Sequence, residues 1–167
     1  VSKNIECRKC TYRDDGKTMS HAWRIMGAIM GAHVVTATPE GRWAPDPAVV
    51  SQARKIAVTT GATIEVIHDP EAGAKDASVL YTDVWMSMGD PESERAEKTR
   101  ALAPFSVDSH LMDLSSKDSI FMHCLPAHRG EEVAAEVIDG PRSVIWREAL
   151  HRRTTIQSLL YHLVKGE

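Results

Sequence analysis

The feature that most limits what this chain can fold into is the regular alternation of short β-branched runs with longer segments of helical character. Residues His33 to Ala37, Thr63 to Ile67, Val79 to Thr82 and Ile120 to Cys124 read as strands. Met19 to Met30 and Pro47 to Thr60 read as helices, the second closed by Gly61, and Pro70 to Lys75 as a short one. Val144 to Trp146 reads as the last strand. A final helix is expected over Glu148 to Val164, where Ile156, Leu159, Leu160 and Leu163 recur at three-and-four spacing and form one apolar face. Parallel strands need a crossover to connect them, and a helix in each crossover ends up covering the sheet. The predicted fold is therefore α/β and doubly wound: a mostly parallel sheet with helices on both faces, in a single domain over residues 1–167.

Charge and hydropathy narrow the function classes. Twenty Lys and Arg against 23 Asp and Glu leave a formal charge of −3, and no basic stretch could track a phosphate backbone, so nucleic acid is not an expected partner. The longest apolar runs, such as Ile25 to Val35, are broken by glycines and a histidine and fall short of the ~20 residues that cross a bilayer. Three cysteines cannot all pair, which points to a reducing compartment, the cytoplasm or an organelle matrix. Cys7 and Cys10 form a Cys-x-x-Cys pair, but no second pair completes a zinc set. Neither a metal nor a cofactor is expected. The opening at Val1, without Met or a charged-then-apolar leader, suggests a processed end or a cut fragment.

In open parallel sheets, ligands bind where loops leave the carboxyl ends of the strands. Three segments qualify: Asp14 to His21, Thr82 to Gly89 and His123 to Gly130. The last packs a thiol, two imidazoles and a guanidinium into His-Cys-Leu-Pro-Ala-His-Arg-Gly. His123 could instead be a core histidine, and Arg129 could pair with Glu131 or Glu132. Asp83 could receive a ligand ammonium or cap a helix. Ser87 to Lys98 is charged, holds Gly89 and Pro91 and lacks apolar periodicity, so it reads as mobile surface.

Two of these segments, His123 to Glu132 and Thr82 to Gly89, resemble signatures of the ornithine carbamoyltransferases, in the same order along the chain. Ala37-Thr38-Pro39-Glu40-Gly41, Pro45-Asp46-Pro47, Val137 to Pro141 and Ser143-Val144 extend the similarity from about Lys9 to the end. The resemblance implies transfer of a carbamoyl group from carbamoyl phosphate to the δ-amino group of L-ornithine, giving L-citrulline and phosphate. It implies that Ser87 and Met88 touch the amino-acid end of ornithine, that Asp83 holds an ammonium, and that Cys124 and Leu125 lie beside the δ-amine and the carbamoyl carbon. A cis bond is expected between Leu125 and Pro126. Thr18 stands where the family has the asparagine that binds the ornithine backbone, and His123 leads the Cys-Leu-Pro turn. Arg152 takes the place of an arginine that contacts carbamoyl phosphate. Asp83, Cys124 and Arg152 are thus the expected catalytic residues, and Thr18, Asp83, Ser87, Met88, His123, Cys124, Leu125 and Arg152 the expected substrate-binding ones. Cys124 and the Ser87-Met88-Gly89 run favour ornithine over aspartate as the acceptor.

The resemblance also has gaps. The family's Ser-Thr-Arg-Thr phosphate-binding motif, which belongs to a separate amino-terminal domain, does not occur in these residues. Arg13 and Asp14 stand where the family has apolar or small residues, Arg147 replaces an acid, and His151 replaces an asparagine. Three readings follow: a fragment of an active enzyme, a homologue that binds the amino acid without catalysis, or an engineered or degraded remnant. The expected partners are L-ornithine and carbamoyl phosphate, with either a homo-oligomer, a trimer in the family, or a separate amino-terminal half. The expected location is the cytoplasm, or the mitochondrial matrix in a eukaryote.

Overall fold

The computed structural model describes residues 8–87 and 89–166. Five strands, β1 (Lys9–Arg13), β2 (His33–Ala37), β3 (Thr63–Ile67), β4 (Val79–Thr82) and β5 (Ile120–His123), form one sheet in the order β3-β2-β1-β4-β5. Every pairing is parallel. Seven α-helices intervene or follow: α1 (Thr18–Ile29), α2 (Pro47–Thr60), α3 (Pro70–Ala74), α4 (Arg95–Leu102), α5 (Ser109–Leu114), α6 (Ala135–Ile138) and α7 (Ile145–Lys165).

Local chemistry explains several boundaries. Asp46 accepts a hydrogen bond from the Ala48 amide at 2.7 Å and Pro47 occupies the first turn, so α2 starts there. It ends at Gly61, which turns left-handed at φ 76°. Asp69 caps α3 and Asp108 caps α5 in the same way.

Alternating side chains along the strands build two cores. On one face, Val34 and Ile64 pack with Ala28 of α1 and Ala53 of α2. On the other, Leu80 and Phe121 pack with Ala74, Leu111, Met112, Val137 and Ile145, from α3 and α5 to α7. The doubly wound α/β expectation holds.

Two expectations about local structure do not hold. Val144 to Trp146 is not a strand: Ser143 makes one bridge to Phe121, and α7 begins at Ile145, three residues before the predicted start. Ile145 is buried while Trp146 is exposed, and the helix takes over once that single anchor is set in the core. Nor is Ser87 to Lys98 uniform surface. A 3-10 turn at Glu92–Glu94 leads into α4, which buries Lys98 and Leu102 one turn apart. Lys98 is buried because carboxylates surround its ammonium, a reason that apolar periodicity does not carry.

Arg13 is fully buried, with Nε donating to the Phe105 carbonyl at 3.2 Å and Nη1 to the Pro70 carbonyl at 2.7 Å. Desolvation lowers its pKa to about 10, which leaves it charged at neutral pH. The two carbonyls and the charges of Asp108 and Asp69 offset part of the burial cost, while Nη2 is buried without a hydrogen-bond partner.

Just past β1, the Gly16 amide donates to the Trp43 carbonyl at 2.7 Å. A Cβ on Gly16 would collide with the backbone of Ala44 and Pro45, and backbone cannot swing aside as a side chain can. Gly16→Ala is expected to cost about 3 kcal/mol, the upper end for overpacking, read as a fall in the urea midpoint. An unchanged midpoint would show that the two segments are not in contact.

Candidate functional site

β1 sits at the centre of the sheet. The chain leaves it toward β2 and β3 on one side and returns on the other as β4, so the carboxyl ends of β1 and β4 flank the point where the winding reverses. Such a switch point leaves a crevice between diverging loops. Thr82 ties the two ends together, its hydroxyl donating to the Arg13 carbonyl at 2.6 Å.

Asp83 and Cys124, from the ends of neighbouring strands, meet there. The Cys124 thiol donates to Asp83 Oδ1 at 2.9 Å, and the same oxygen accepts the Val84 amide at 2.7 Å. Burial, followed by the hydrogen bond to Asp83 and its charge, pushes the Cys124 thiol up to about 12. At neutral pH Cys124 is therefore a neutral hydrogen-bond donor and not a thiolate nucleophile.

His123 is fully buried and uses both ring nitrogens within the protein. Nδ1 accepts the Leu125 amide at 2.8 Å, which leaves Nε2 to donate to Glu132 Oε1 at 3.2 Å. Its ring is thereby committed to holding the turn that presents Cys124 and Leu125. Leu125 adopts φ 58°, in the region L-residues avoid, and its bond to Pro126 is cis, as the family resemblance implied.

Thr18 is the first residue of α1. Ser87 donates its amide to Asp90 Oδ2 at 3.1 Å. Met88 lies outside the described residues, as does Cys7, while its expected neighbour Cys10 is buried. Arg152 is exposed on α7, one turn beyond Glu148 and on the same side of the helix. Arg129 pairs not with Glu131 or Glu132 but with Asp139, through two contacts at 2.7 and 2.8 Å.

Tyr81 and Glu148 escaped the sequence reading. Glu148 Oε1 accepts the Tyr81 hydroxyl at 2.9 Å and Oε2 accepts the His123 amide at 3.0 Å, so the first turn of α7 is fastened to both β4 and β5. Burial, then the nearby Cys124 and Glu148, raises the Tyr81 hydroxyl far above its ordinary range and keeps it protonated. The available signal was the run Trp146 to Arg152, in which Glu148 is the one acid.

Among the described residues, one group has metal-ligand spacing: atoms of His128, Glu131 and Glu132 within 4.8 Å of one another. Glu132 Oε1 is already engaged by His123 and by the His128 amide, so its carboxylate has a structural task without an ion.

The arrangement gathers Asp14, Asp15, Asp83 and Glu148 at one end of the sheet, around a neutral thiol and a neutral phenol. Asp14 is buried, and burial, followed by the charge of Asp15, raises its pKa well above the usual carboxylate range. Asp14 is thereby biased toward its neutral form, Asp15 is paired with Lys98 and Glu148 is engaged by Tyr81 and His123, so Asp83 is the carboxylate of this group left to meet a cationic group.

Comparison with known families settles the lineage. The family model described as the aspartate/ornithine carbamoyltransferase Asp/Orn binding domain matches residues 7–163. The chain belongs to this family. Ornithine carbamoyltransferase of Thermococcus kodakarensis is 44% identical over 164 residues, 96% of this chain and 51% of that protein. The solved ornithine carbamoyltransferase from Pyrococcus furiosus shares 46% identity at a TM-score of 0.83, over 89% of this chain and 47% of that one. The anabolic enzyme from Campylobacter jejuni superposes with a TM-score of 0.90 at 32% identity, covering 99% of this chain and 54% of that one. The chain spans about half the length of the family members it matches.

Among the described residues, no helix is long and apolar enough to cross a membrane.

Proposed function

We propose that this chain is the ornithine-binding half of a carbamoyl transfer site, with residues 1–167 as that domain and carbamoyl phosphate held mainly by a separate amino-terminal domain. The observation that carries the reading is the contact between Cys124 and Asp83 at the switch point, within two segments that match the ornithine enzymes' signatures. In the reaction, the neutral δ-amine of L-ornithine attacks the carbonyl carbon of carbamoyl phosphate. A C–N bond forms, the bond from carbon to the phosphate oxygen breaks, phosphate departs, and the amine loses a proton to give L-citrulline.

Asp83 provides the negative charge that receives an ammonium of the amino acid. Cys124, neutral, accompanies Leu125 beside the reacting amine and offers a hydrogen bond without competing as a nucleophile. Ser87, with Met88 and Thr18, addresses the amino-acid end, His123 sets the turn, and Arg152 supplies positive charge for the phosphate. Bringing two substrates into attack geometry accounts for roughly 7–11 kcal/mol of barrier in the best cases, and that needs both halves. The reading puts the protein in the cytoplasm, or in the mitochondrial matrix of a eukaryote.

A second feature favours association with another polypeptide, as that amino-terminal half or as copies in a homo-oligomer. Ile156, Leu159, Leu160 and Leu163 on α7 are 54–70% exposed, a run of apolar surface that a solitary domain rarely leaves bare.

Calorimetric titration with L-ornithine, with and without carbamoyl phosphate, together with a colorimetric assay for citrulline, tests the proposal. Ornithine binding without citrulline is expected of the chain alone. Citrulline would show a complete site, and failure to bind ornithine would overturn the reading.

A further inference from the structure

Lys98 is buried to 1% exposure in a helix that the sequence marks as charged surface. Its ammonium donates to Asp15 Oδ2 at 2.7 Å and to Asp90 Oδ2 at 2.9 Å. Asp15 uses its other oxygen to accept the Lys17 amide at 3.1 Å, which shapes the turn into α1 where Thr18 stands. Asp90 Oδ2 also accepts the Ser87 amide at 3.1 Å. Beneath lies the ring of Trp43, 5.5 Å from the Lys98 ammonium, and Trp43 in turn receives the Gly16 amide.

We propose that Lys98 is a positioning residue, which fixes the spacing between the Asp15–Thr18 turn and the Ser87–Asp90 segment and so sets the width of the end of the site that receives the amino-acid group. The inference rests on the ornithine reading above. A single ammonium joins segments that follow two different strands. Lys17, on the rim, also approaches Asp90 at 3.6 Å and Asp15 at 4.0 Å, but it is half exposed and screened by water, so Lys98 carries the link. Without Lys98 the Asp15 carboxylate stays buried without its counter-ion. Asp90, which is partly exposed, turns toward solvent and takes the Ser87 amide contact with it.

The test uses Lys98→Gln, Lys98→Arg and Asp90→Asn in the full chain. Amide exchange at Ser87 is followed by NMR and L-ornithine affinity by calorimetry. Lys98→Gln and Asp90→Asn are each expected to speed Ser87 exchange and to weaken ornithine binding roughly tenfold, about 1.4 kcal/mol. The double variant should be little worse than either single one, because both break the same bridge. Lys98→Arg, which keeps charge and donors, should restore most of both quantities, which a merely space-filling role would not give. Asp90→Asn keeps the test open should Lys98→Gln fail to fold, since Asp90 is partly exposed and Asp15 still faces the Lys98 ammonium. Unchanged Ser87 exchange in both single variants, or fully additive losses in the double one, would overturn the proposal. If the unaltered chain binds no ornithine, the reading it rests on fails, and Ser87 exchange alone still decides whether Lys98 holds the two segments.

Discussion

Phe121→Ala is expected to lower the stability of the fold by about 3–5 kcal/mol. Phe121 is fully buried as the second residue of β5, with Leu80, Val107, Met112, Val133 and Ile145 in the same core cluster. Removing its ring strips apolar surface from water-free contact and leaves a hole that a parallel strand, hydrogen-bonded to β4 and anchored to Ser143, cannot collapse to fill. Domains of this size are stable by only about 5–15 kcal/mol in total, so the variant should unfold at far lower urea with an unchanged slope. The same core seats Ile145, the first residue of α7, so the loss should also loosen Glu148 and with it the Tyr81 and His123 contacts. A cost below about 1 kcal/mol would mean that the core on this face is not packed as described.

Cys124 should be close to inert toward iodoacetamide at a pH where free cysteine reacts readily. At pH 9 an ordinary thiol with a pKa of 9.0 is half ionised, while one pushed up to about 12 carries roughly five-hundredfold less thiolate. Alkylation followed by peptide mass spectrometry isolates Cys124 from the other two cysteines. Asp83→Asn removes a charge that disfavours the thiolate, so it should bring the pKa down and speed the reaction. The sign for stability follows: the folded thiol titrates above the unfolded one, so its contribution is complete below pH 9 and is lost as pH rises toward about 12. Alkylation of Cys124 near the free-cysteine rate at pH 9 would contradict the neutral-donor role, and an Asp83→Asn rate equal to that of the parent would remove Asp83 as a cause.

What the sequence could disclose follows from how local each cause is. Asp46, Pro47 and Gly61 act within a turn of the helix they bound, so α2 was readable residue by residue, and four of the strands stood out as short β-branched or aromatic apolar runs. The cis bond and the pairing of the two signature segments came through resemblance and not through pattern. Lys98, Arg13, Tyr81 and Glu148 were hidden for one reason: each is explained by a partner far away in the chain. Lys98 meets Asp15, Arg13 meets Phe105 and Pro70, and Glu148 meets Tyr81. A charged residue in a polar run looks like surface until the fold delivers its counter-charge. Val144 to Trp146 misled in the opposite way, because three apolar or β-branched positions satisfy a short strand and the start of a helix anchored by a single buried residue, Ile145, equally well.

The strand order has a kinetic consequence. β1 finds β2 after one short crossover, pairing Lys9 with His33, but it must wait for β4, pairing Cys10 with Val79, until a much longer stretch has been ordered. Loop closure grows more costly with separation and parallel pairings are slow to form. The β1–β3 side should therefore assemble first and serve as the template on which β4 and then β5 are laid. Because the crevice lies between β1 and β4, it comes into being only at that second step, and a chain halted on its way to the native state would own half a sheet and no site at all.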